Sequence, residues 1–268
     1  MKKLFTFAFL VGSLHAAYAT HFLGGEIRTK RLSTFGLTYE ISVFLYFDES
    51  SGSSAADAQS GITVCVGEAN QTITFKRAGR IKVSAEVSLN TYLGNFTYAA
   101  PGTYTVAVPI ESPNPSLANF NSVNTPFYLQ TTFATHIINS TPVFNSPVGT
   151  QYAGIRQVFN DNVKAVDAEG DSLVYRLGVS KQGQPGNCRG KDIPDYRYPN
   201  EVTREGVFEV NPATGDLTWN APTQAGTYAY TIIVEEWRDG VRISETHRGV
   251  TLKVADQGGS PVIIPPFE

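Results

Sequence analysis

A period of two in the apolar residues constrains the fold of this chain more than any other feature. Apolar and polar residues alternate over segments rich in Val, Ile, Thr, Tyr and Phe, at 37–47, 61–67, 71–77, 80–89 and 228–237. Because successive side chains of a β-strand point to opposite faces, this alternation predicts half-buried strands. Glycine and proline, present 24 and 15 times, separate the segments at short intervals. The pattern therefore predicts an all-β protein built from sandwiches.

An internal repeat predicts two domains. The segment PGTYTVAVPI (101–110) matches AGTYAYTIIV (225–234), and Gly-Thr-Tyr opens a strand in each. A tyrosine at this position can bury its ring and return its hydroxyl to the backbone, as in the tyrosine corner of immunoglobulin-like sandwiches. We expect two sandwiches of similar size at 20–138 and 142–255, followed by a Gly/Pro-rich linker tail at 256–268.

Two shorter signals describe the second domain in more detail. Asp239-Gly240 predicts a two-residue type I′ turn, which would pair Trp237 with Arg242 across a hairpin. Trp219 follows alternating apolar positions and is therefore expected in the core between the sheets.

The first nineteen residues, MKKLFTFAFLVGSLHAAYA, have the order of a secretory signal peptide. Two lysines precede a short apolar run, and Ala17-Tyr18-Ala19 is a small-x-small cleavage site. Cleavage after Ala19 would leave an exported chain without a membrane span, because no other apolar run is long enough. We therefore expect a secreted or cell-surface protein.

The charge pattern narrows the choice of partner. The chain has 21 basic and 24 acidic residues, a formal net charge of −3, and no basic block or stripe. Nucleic acids and anionic membranes attract clustered Lys and Arg, so neither is an expected partner. A surface protein or a polysaccharide remains the expected partner.

Three stretches carry a family resemblance: NSVNTPFYLQTTF (121–133), VDAEGDSLVYRL (166–177) and VNPATGDLTWNAPTQAGTYAYTIIVEEWRDGVRI (210–243). With them, the chain resembles the tandem immunoglobulin-like modules of Bacteroidetes surface proteins of the gliding-motility-associated C-terminal-domain type. The second half is also similar to cadherin-like immunoglobulin modules. The resemblance implies two tandem cadherin-like or immunoglobulin-like β-sandwiches after a cleaved signal peptide, a cell-surface adhesion role, and an association with gliding motility or type IX secretion.

The acidic stretch at 166–177 admits two interpretations. Asp167, Glu169 and Asp171 could supply several of the roughly six to eight oxygens that Ca²⁺ prefers. The spacing does not match an EF-hand, because Gly170 falls at the fourth loop position and Gly178 stands where the last carboxylate belongs. The alternative is a solvated acidic turn that leads into a strand, and the sequence favours this turn over a Ca²⁺ site.

Two further groups are candidate functional residues. Tyr196 and Tyr198 lie in a long loop and could form an aromatic platform for a carbohydrate ring. Cys65 and Cys188 lie in different halves of the chain. Export makes a disulfide between them possible, and it would join the two domains. Because a bridge would have to join two separate domains, the alternative of two buried or free thiols is favoured.

The sequence does not indicate an enzyme. It contains no H-E-x-x-H, G-x-S-x-G, G-x-G-x-x-G or phosphate-loop motif. Glu235 and Glu236 are adjacent on a predicted strand, so they point to opposite faces and cannot act as a paired acid and base. The expected function is therefore a non-catalytic structural or adhesion module. The alternatives are a carbohydrate-binding, lectin-like protein that uses the loop tyrosines and, less favoured, a hydrolase with a site divided between the domains.

Overall fold

The computed structural model describes residues 21–50, 59–68, 70–110, 116–122, 125–184 and 186–256. The predicted signal peptide lies outside these residues, as does all of the predicted tail except Asp256. The all-β prediction is confirmed, because strands dominate the described chain and its one helix is five residues long.

The strands are numbered β1 to β18 in chain order. The N-terminal half contains β1 (His21–Arg31), β2 (Thr38–Asp48), β3 (Gly61–Cys65), β4 (Thr72–Lys82), β5 (Val87–Thr97), β6 (Thr103–Ile110) and β7 (Phe127–Ala134). The C-terminal half contains β8 (Val143–Phe144), β9 (Tyr152–Gly154), β10 (Phe159–Asn162), β11 (Ala165–Val166), β12 (Ser172–Gly178), β13 (Lys181–Gln184), β14 (Asn187–Asp192), β15 (Phe208–Val210), β16 (Asp216–Trp219), β17 (Gly226–Arg238) and β18 (Val241–Ala255). The short helix α1 (Pro199–Thr203) precedes β15.

Eight of these strands form a closed ring of neighbours. β18, β1, β2, β5, β4, β3, β6 and β7 follow one another in the sheet, and β7 pairs with β18 again. The β18–β7 ladder runs from Ser244 to Thr246, and the β18–β1 ladder lies at Gly249 and Val250. Because β18 is 15 residues long, it can pair with different strands along its length.

The ring changes the predicted domain organisation. β18 belongs to 142–255, which the sequence assigns to a second domain, yet it completes the ring of the first half. It also forms a long hairpin with β17, which pairs with β12, while β9 runs parallel to its end. The two halves therefore share one sheet, whereas the sequence predicts a separate sheet system for each.

Two hydrophobic cores nevertheless form, one mainly from each half, although Ile193 and Ala229 of the second half belong to the first core. The core of the first half includes Tyr39, Leu45 and Phe133, each at most 1% exposed. The core of the second half is built around Trp219, which is fully buried as predicted and packs edge-on against Tyr228. The small sheets β10–β16–β15 and β8–β11 contribute Phe159, Phe208 and other apolar residues to this second core.

Burial along the strands follows the position of each strand in the sheet. In β2 buried and half-buried residues mostly alternate, because only one face packs on the core. In β17 nine consecutive residues are buried, from Tyr228 to Glu236, because neighbouring elements cover both faces. Where β1 crosses β18, a Cβ at Gly24 would collide with the carbonyl group of Gly249, so this close approach requires glycine.

Two local predictions are confirmed, namely the tyrosine hydroxyls that return to the backbone and the Asp239-Gly240 turn. The hydroxyl of Tyr104 donates to the Ala100 carbonyl at 2.7 Å, and that of Tyr228 donates to the Gln224 carbonyl at 3.0 Å. Both tyrosines thus return their hydroxyl to the backbone four residues earlier. At the β17–β18 turn, the φ angles of the two central residues are 53° and 77°, and Trp237 pairs with Arg242.

Candidate functional site

The predicted acidic loop is a tight turn held by its own side chain. Asp167 Oδ1 accepts a hydrogen bond from the backbone N–H of Asp171 at 2.5 Å. Gly170 has a φ of +88°, in the left-handed region that glycine adopts at low cost. The chain then enters β12, in which Tyr175 is buried. The turn therefore has a structural explanation that does not require a metal ion.

The structure brings to this turn a third carboxylate that the sequence did not assign to it. One oxygen from each of Asp167, Asp171 and Glu236 lies within 4.8 Å of the others, whereas the exposed Glu169 is not in this group. Glu236 arrives because β12 pairs with β17, with Ser172 opposite Trp237. Of the three predicted ligands, the fold therefore brings two together and replaces Glu169 by Glu236.

The carboxyl group of Glu236 is fully buried, and one of its two oxygens accepts hydrogen bonds. It accepts hydrogen bonds from Asn139 Nδ2 at 3.1 Å and from the Ser244 hydroxyl. Its Oε1 and the Oδ2 of Asp167 are buried, and neither has a hydrogen-bond partner among the described residues. Burial, and next the nearby Asp167, raise the pKa of Glu236 to about 9. At neutral pH Glu236 is thus protonated, and its proton can satisfy the Asp167 oxygen.

A protein cation already occupies one side of the cluster. Arg238 Nε and Nη2 each donate to an oxygen of Asp171 at 2.6 Å, which forms a bidentate pair. The same guanidinium donates to the Ile138 carbonyl and to Asn139 Oδ1. Ca²⁺ at this position would compete with Arg238 for Asp171. Asp167, Asp171 and Glu236 are the residues that could hold such an ion, and the geometry favours the Arg238-stabilised turn.

The opposite face of β17 carries a separate charge network. Glu235 accepts hydrogen bonds from Arg176 at 3.1 Å and from Arg242 at 2.9 Å, so it points away from the Glu236 side, as predicted. Glu245 contacts the same two arginines and accepts from His247 Nε2 at 2.6 Å. The pKa of Glu245 is lowered to about 2, chiefly by the hydrogen bond from His247.

The loop tyrosines are not the exposed platform that the sequence suggested. Tyr196 packs against the core of the first half, with its ring centroid 6.0 Å from that of Phe120. Its hydroxyl lies 3.5 Å from the carbonyl oxygen of Ala229. Tyr198 is half-buried and meets Tyr196 edge-on at 5.4 Å. The contacts of Tyr196 with Phe120 and Tyr198 explain its position by packing between the halves.

Cys65 and Cys188 form a disulfide, the alternative that the sequence did not favour. It fastens the β13–β14 hairpin to β3, and the Tyr128 hydroxyl donates to the Cys188 carbonyl at 2.7 Å beside it. Gly190 lies directly over the Tyr128 ring, where any Cβ would collide. The pairing depends on the hairpin folding back over the first half, which no local pattern reveals.

Buried polar contacts also join the halves. Both side-chain amide atoms of Asn119 bond the backbone of Ala229, with Nδ2 2.7 Å from its oxygen and Oδ1 3.0 Å from its nitrogen. Glu26 in β1 is fully buried and lies 3.6 Å from the Nε of Arg248 in β18. Arg248 also stacks over the Phe144 ring at 4.8 Å. These contacts lie in the same interface as the shared sheet.

Comparison with known proteins gives no relative: no family model, no curated protein and no solved structure matches the chain. In the described part of the chain, no helix has the length and apolar character needed to cross a membrane.

Proposed function

We propose that this chain is an exported, non-catalytic structural and adhesion module of the cell surface, in which two immunoglobulin-like halves act as one rigid body. The observation that carries the proposal is the Cys65–Cys188 disulfide across the two halves. Stable disulfides form mainly in oxidising compartments, so the bridge supports export, as does the signal-like sequence at 1–19. The resemblance to Bacteroidetes surface modules supports the surface role and an association with gliding motility.

Rigidity is the physical basis of the proposed role. A surface module that transmits force benefits from joined halves, because a flexible linker would extend first under load. The shared strand β18, the buried Glu26–Arg248 contact and the Asn119–Ala229 hydrogen bonds oppose such opening. The separate cores are consistent with two sandwich-like units inside this body.

Export is tested first, by expressing the full chain in a bacterium and determining its N-terminus by mass spectrometry. We expect a mature protein that begins at Thr20, is released or protease-accessible on intact cells, and has no free thiol. A matched variant, Ala19→Arg, should block cleavage and retain the precursor. An uncleaved, reduced wild-type protein inside the cell would contradict the proposal.

Adhesion is tested separately, with purified protein on intact cells and on insoluble polysaccharides, each with calcium and with chelator. A surface protein partner predicts retention on cells that is lost after protease treatment of the cells. Retention on one polysaccharide would instead favour the lectin-like alternative. Turnover of any of these polymers would contradict the non-catalytic role.

A further inference from the structure

The β13–β14 hairpin is joined firmly to the rest of the protein at its base. An ion pair of 2.6 Å between Lys181 and Asp192 closes this base. Ile193, directly after β14, is buried in the core of the first half, and its N–H donates to the Ser180 carbonyl at 3.0 Å. The Ser180 hydroxyl lies 3.0 Å from that of Thr231 in β17. The base of the hairpin therefore has buried anchors that do not involve the disulfide.

The end of the hairpin nearer its turn depends mainly on the disulfide. The ladder between β13 and β7 consists of two residue pairs, both at the base of the hairpin. Among the described strands, β14 pairs only with β13. Towards the turn, the hairpin contacts the first half through the Cys65–Cys188 bridge and through Tyr128, whose hydroxyl donates to the Cys188 carbonyl at 2.7 Å. The bridge is the covalent member of this small set of contacts.

The hairpin covers the outer face of β6 and β7. Val106 and Val108 point into the core of the first half, so Ala107 between them points outward. Ala107 and Tyr128 on this face are 0% and 6% exposed, and they cluster with the two cysteines. A Cβ at Gly190 would lie 2.4 Å from the Tyr128 ring, so β14 rests directly on that ring. Lifting the end of the hairpin would expose the ring to solvent.

Cys188 is the more accessible end of the bridge. Cys65 is 2% exposed, whereas Cys188 is half-buried. Cys188 lines a cavity of about 590 Å³ together with the exposed Arg189 and with uncharged side chains of the first half. A thiolate attacks the disulfide sulfur that it can approach, and a neighbouring positive charge attracts it. Thiol–disulfide exchange is therefore expected to begin at Cys188.

We propose that the β13–β14 hairpin is a redox-operated strap, which the Cys65–Cys188 bridge holds closed over β6 and β7 and which a dithiol opens by reducing the bridge. One thiolate of the dithiol bonds to the Cys188 sulfur as the S–S bond breaks, and Cys65 leaves as a thiolate that takes a proton. The second thiol of the reductant then attacks this mixed disulfide and releases Cys188. The reductant is thereby oxidised to a disulfide, and the protein gains two thiols.

The two ends of the hairpin respond differently to this reaction. The base keeps its buried anchors, Ile193 and Ser180, whereas the end near the turn loses its covalent attachment. A segment with few remaining contacts opens locally at a lower free energy than the core does. Reduction is therefore expected to free this end while the other strands keep their ladders. The inference goes beyond the proposed surface role and does not rest on it.

The experiment is limited trypsin digestion of the purified, folded protein with and without dithiothreitol, a small dithiol. Arg189 and Lys191 are exposed cleavage sites on β14, and a protease requires a locally opened segment around them. Reduction should accelerate cleavage after these two residues at least about tenfold. Cleavage after Arg204, which is exposed at the end of α1, should stay unchanged. Fragment masses identify each site, and reoxidation with oxidised glutathione should restore the protection.

Two variants separate the bridge from its surroundings. Cys65→Ser/Cys188→Ser should be cleaved in β14 as fast as reduced wild type and should not respond to dithiothreitol. Tyr128→Phe is the matched control, because it removes the hydrogen bond to the Cys188 carbonyl and keeps the bridge. In its oxidised form Tyr128→Phe should stay protected.

Three results would overturn the proposal. The first is equal cleavage of β14 in the oxidised and the reduced protein. The second is protection of β14 that persists after both thiols are free. The third is cleavage in β1 and β4 that appears together with cleavage in β14, because reduction would then unfold the whole chain and not the hairpin alone.

Discussion

Cys65 in β3 and Cys188 in β14 are joined covalently although they belong to opposite halves of the chain. Their sequence separation is 123 residues, so the bridge closes a long loop of the unfolded chain. In the chain-entropy account, a long closed loop restricts the unfolded state strongly and stabilises the folded state accordingly. The bridge also keeps the β13–β14 hairpin on the first half, where it lines a cavity beside β3 and β6.

Removing the disulfide is expected to destabilise the whole protein. The double variant Cys65→Ser/Cys188→Ser should lower the free energy of unfolding by about 2–4 kcal/mol. Urea unfolding followed by tryptophan fluorescence measures this, since Trp219 reports on the second core. Wild type treated with a thiol reductant is the control and should approach the double variant. Identical midpoints for oxidised wild type and the double variant would contradict the expectation.

Tyr196 is expected to matter for stability more than for ligand binding. Tyr196→Ala removes a ring packed on Phe120 and should cost about 2–4 kcal/mol. Tyr198→Ala is the matched control and should cost less, about 1 kcal/mol, because Tyr198 contacts the Tyr196 ring and does not itself pack against the core. Thermal unfolding and polysaccharide retention are measured in parallel. A Tyr196→Ala protein with unchanged stability and lost glycan retention would restore the carbohydrate-platform interpretation.

Glu245 predicts a loss of stability in acid. Its pKa in the folded protein, about 2, lies below the ordinary value of 4.5, chiefly because His247 donates to it. The ionised carboxylate therefore contributes stability above pH 4.5, and this contribution is lost as the pH falls from 4.5 towards 2.

Glu245→Gln tests this contribution directly. It should destabilise the protein by about 1–3 kcal/mol at pH 7, and the difference from wild type should shrink below pH 4.5. Glu205→Gln changes an exposed glutamate and serves as the control. Urea midpoints measured from pH 3 to pH 7 show whether the two curves converge. A difference that is constant over this range would show that another group causes the acid sensitivity.

Local patterns were sufficient for the parts of the fold that depend on neighbouring residues. Period-two alternation predicted the strands, and the Gly-Thr-Tyr repeat predicted the returned hydroxyls of Tyr104 and Tyr228. Asp239-Gly240 predicted the turn, because positive φ at two consecutive positions is a property of those residues themselves. Each of these predictions concerns a few residues and needs no knowledge of the tertiary structure.

The remaining features depend on contacts between distant segments. β17 pairs with β18 along one edge over nearly its whole length, whereas β7 and β1 pair in turn along the other edge, and alternation does not reveal which strand will be the neighbour. Glu236 reaches Asp167 only through the register of the β12–β17 ladder. Cys188 reaches Cys65 only after the β13–β14 hairpin folds back. Sequence spacing gives none of these distances, so the predicted Ca²⁺ ligands included Glu169 and omitted Glu236.

The acidic turn gives the last prediction, which concerns calcium. Arg238 holds both oxygens of Asp171, so the wild-type melting temperature is expected to be the same with calcium and with chelator. Arg238→Ala removes this cation and should lower the free energy of unfolding by about 1–3 kcal/mol. Each kcal/mol corresponds to a fall of about 2–4 °C in the melting temperature. With Asp171 released beside Asp167, added Ca²⁺ should restore part of the loss, and only part, because the ion must displace the proton of Glu236 to use its carboxylate. Arg189→Ala, at an exposed position, is the control and should respond to neither change. A wild-type melting temperature that rises by several degrees with calcium would instead show that the ion displaces Arg238 and that the turn is a Ca²⁺ site.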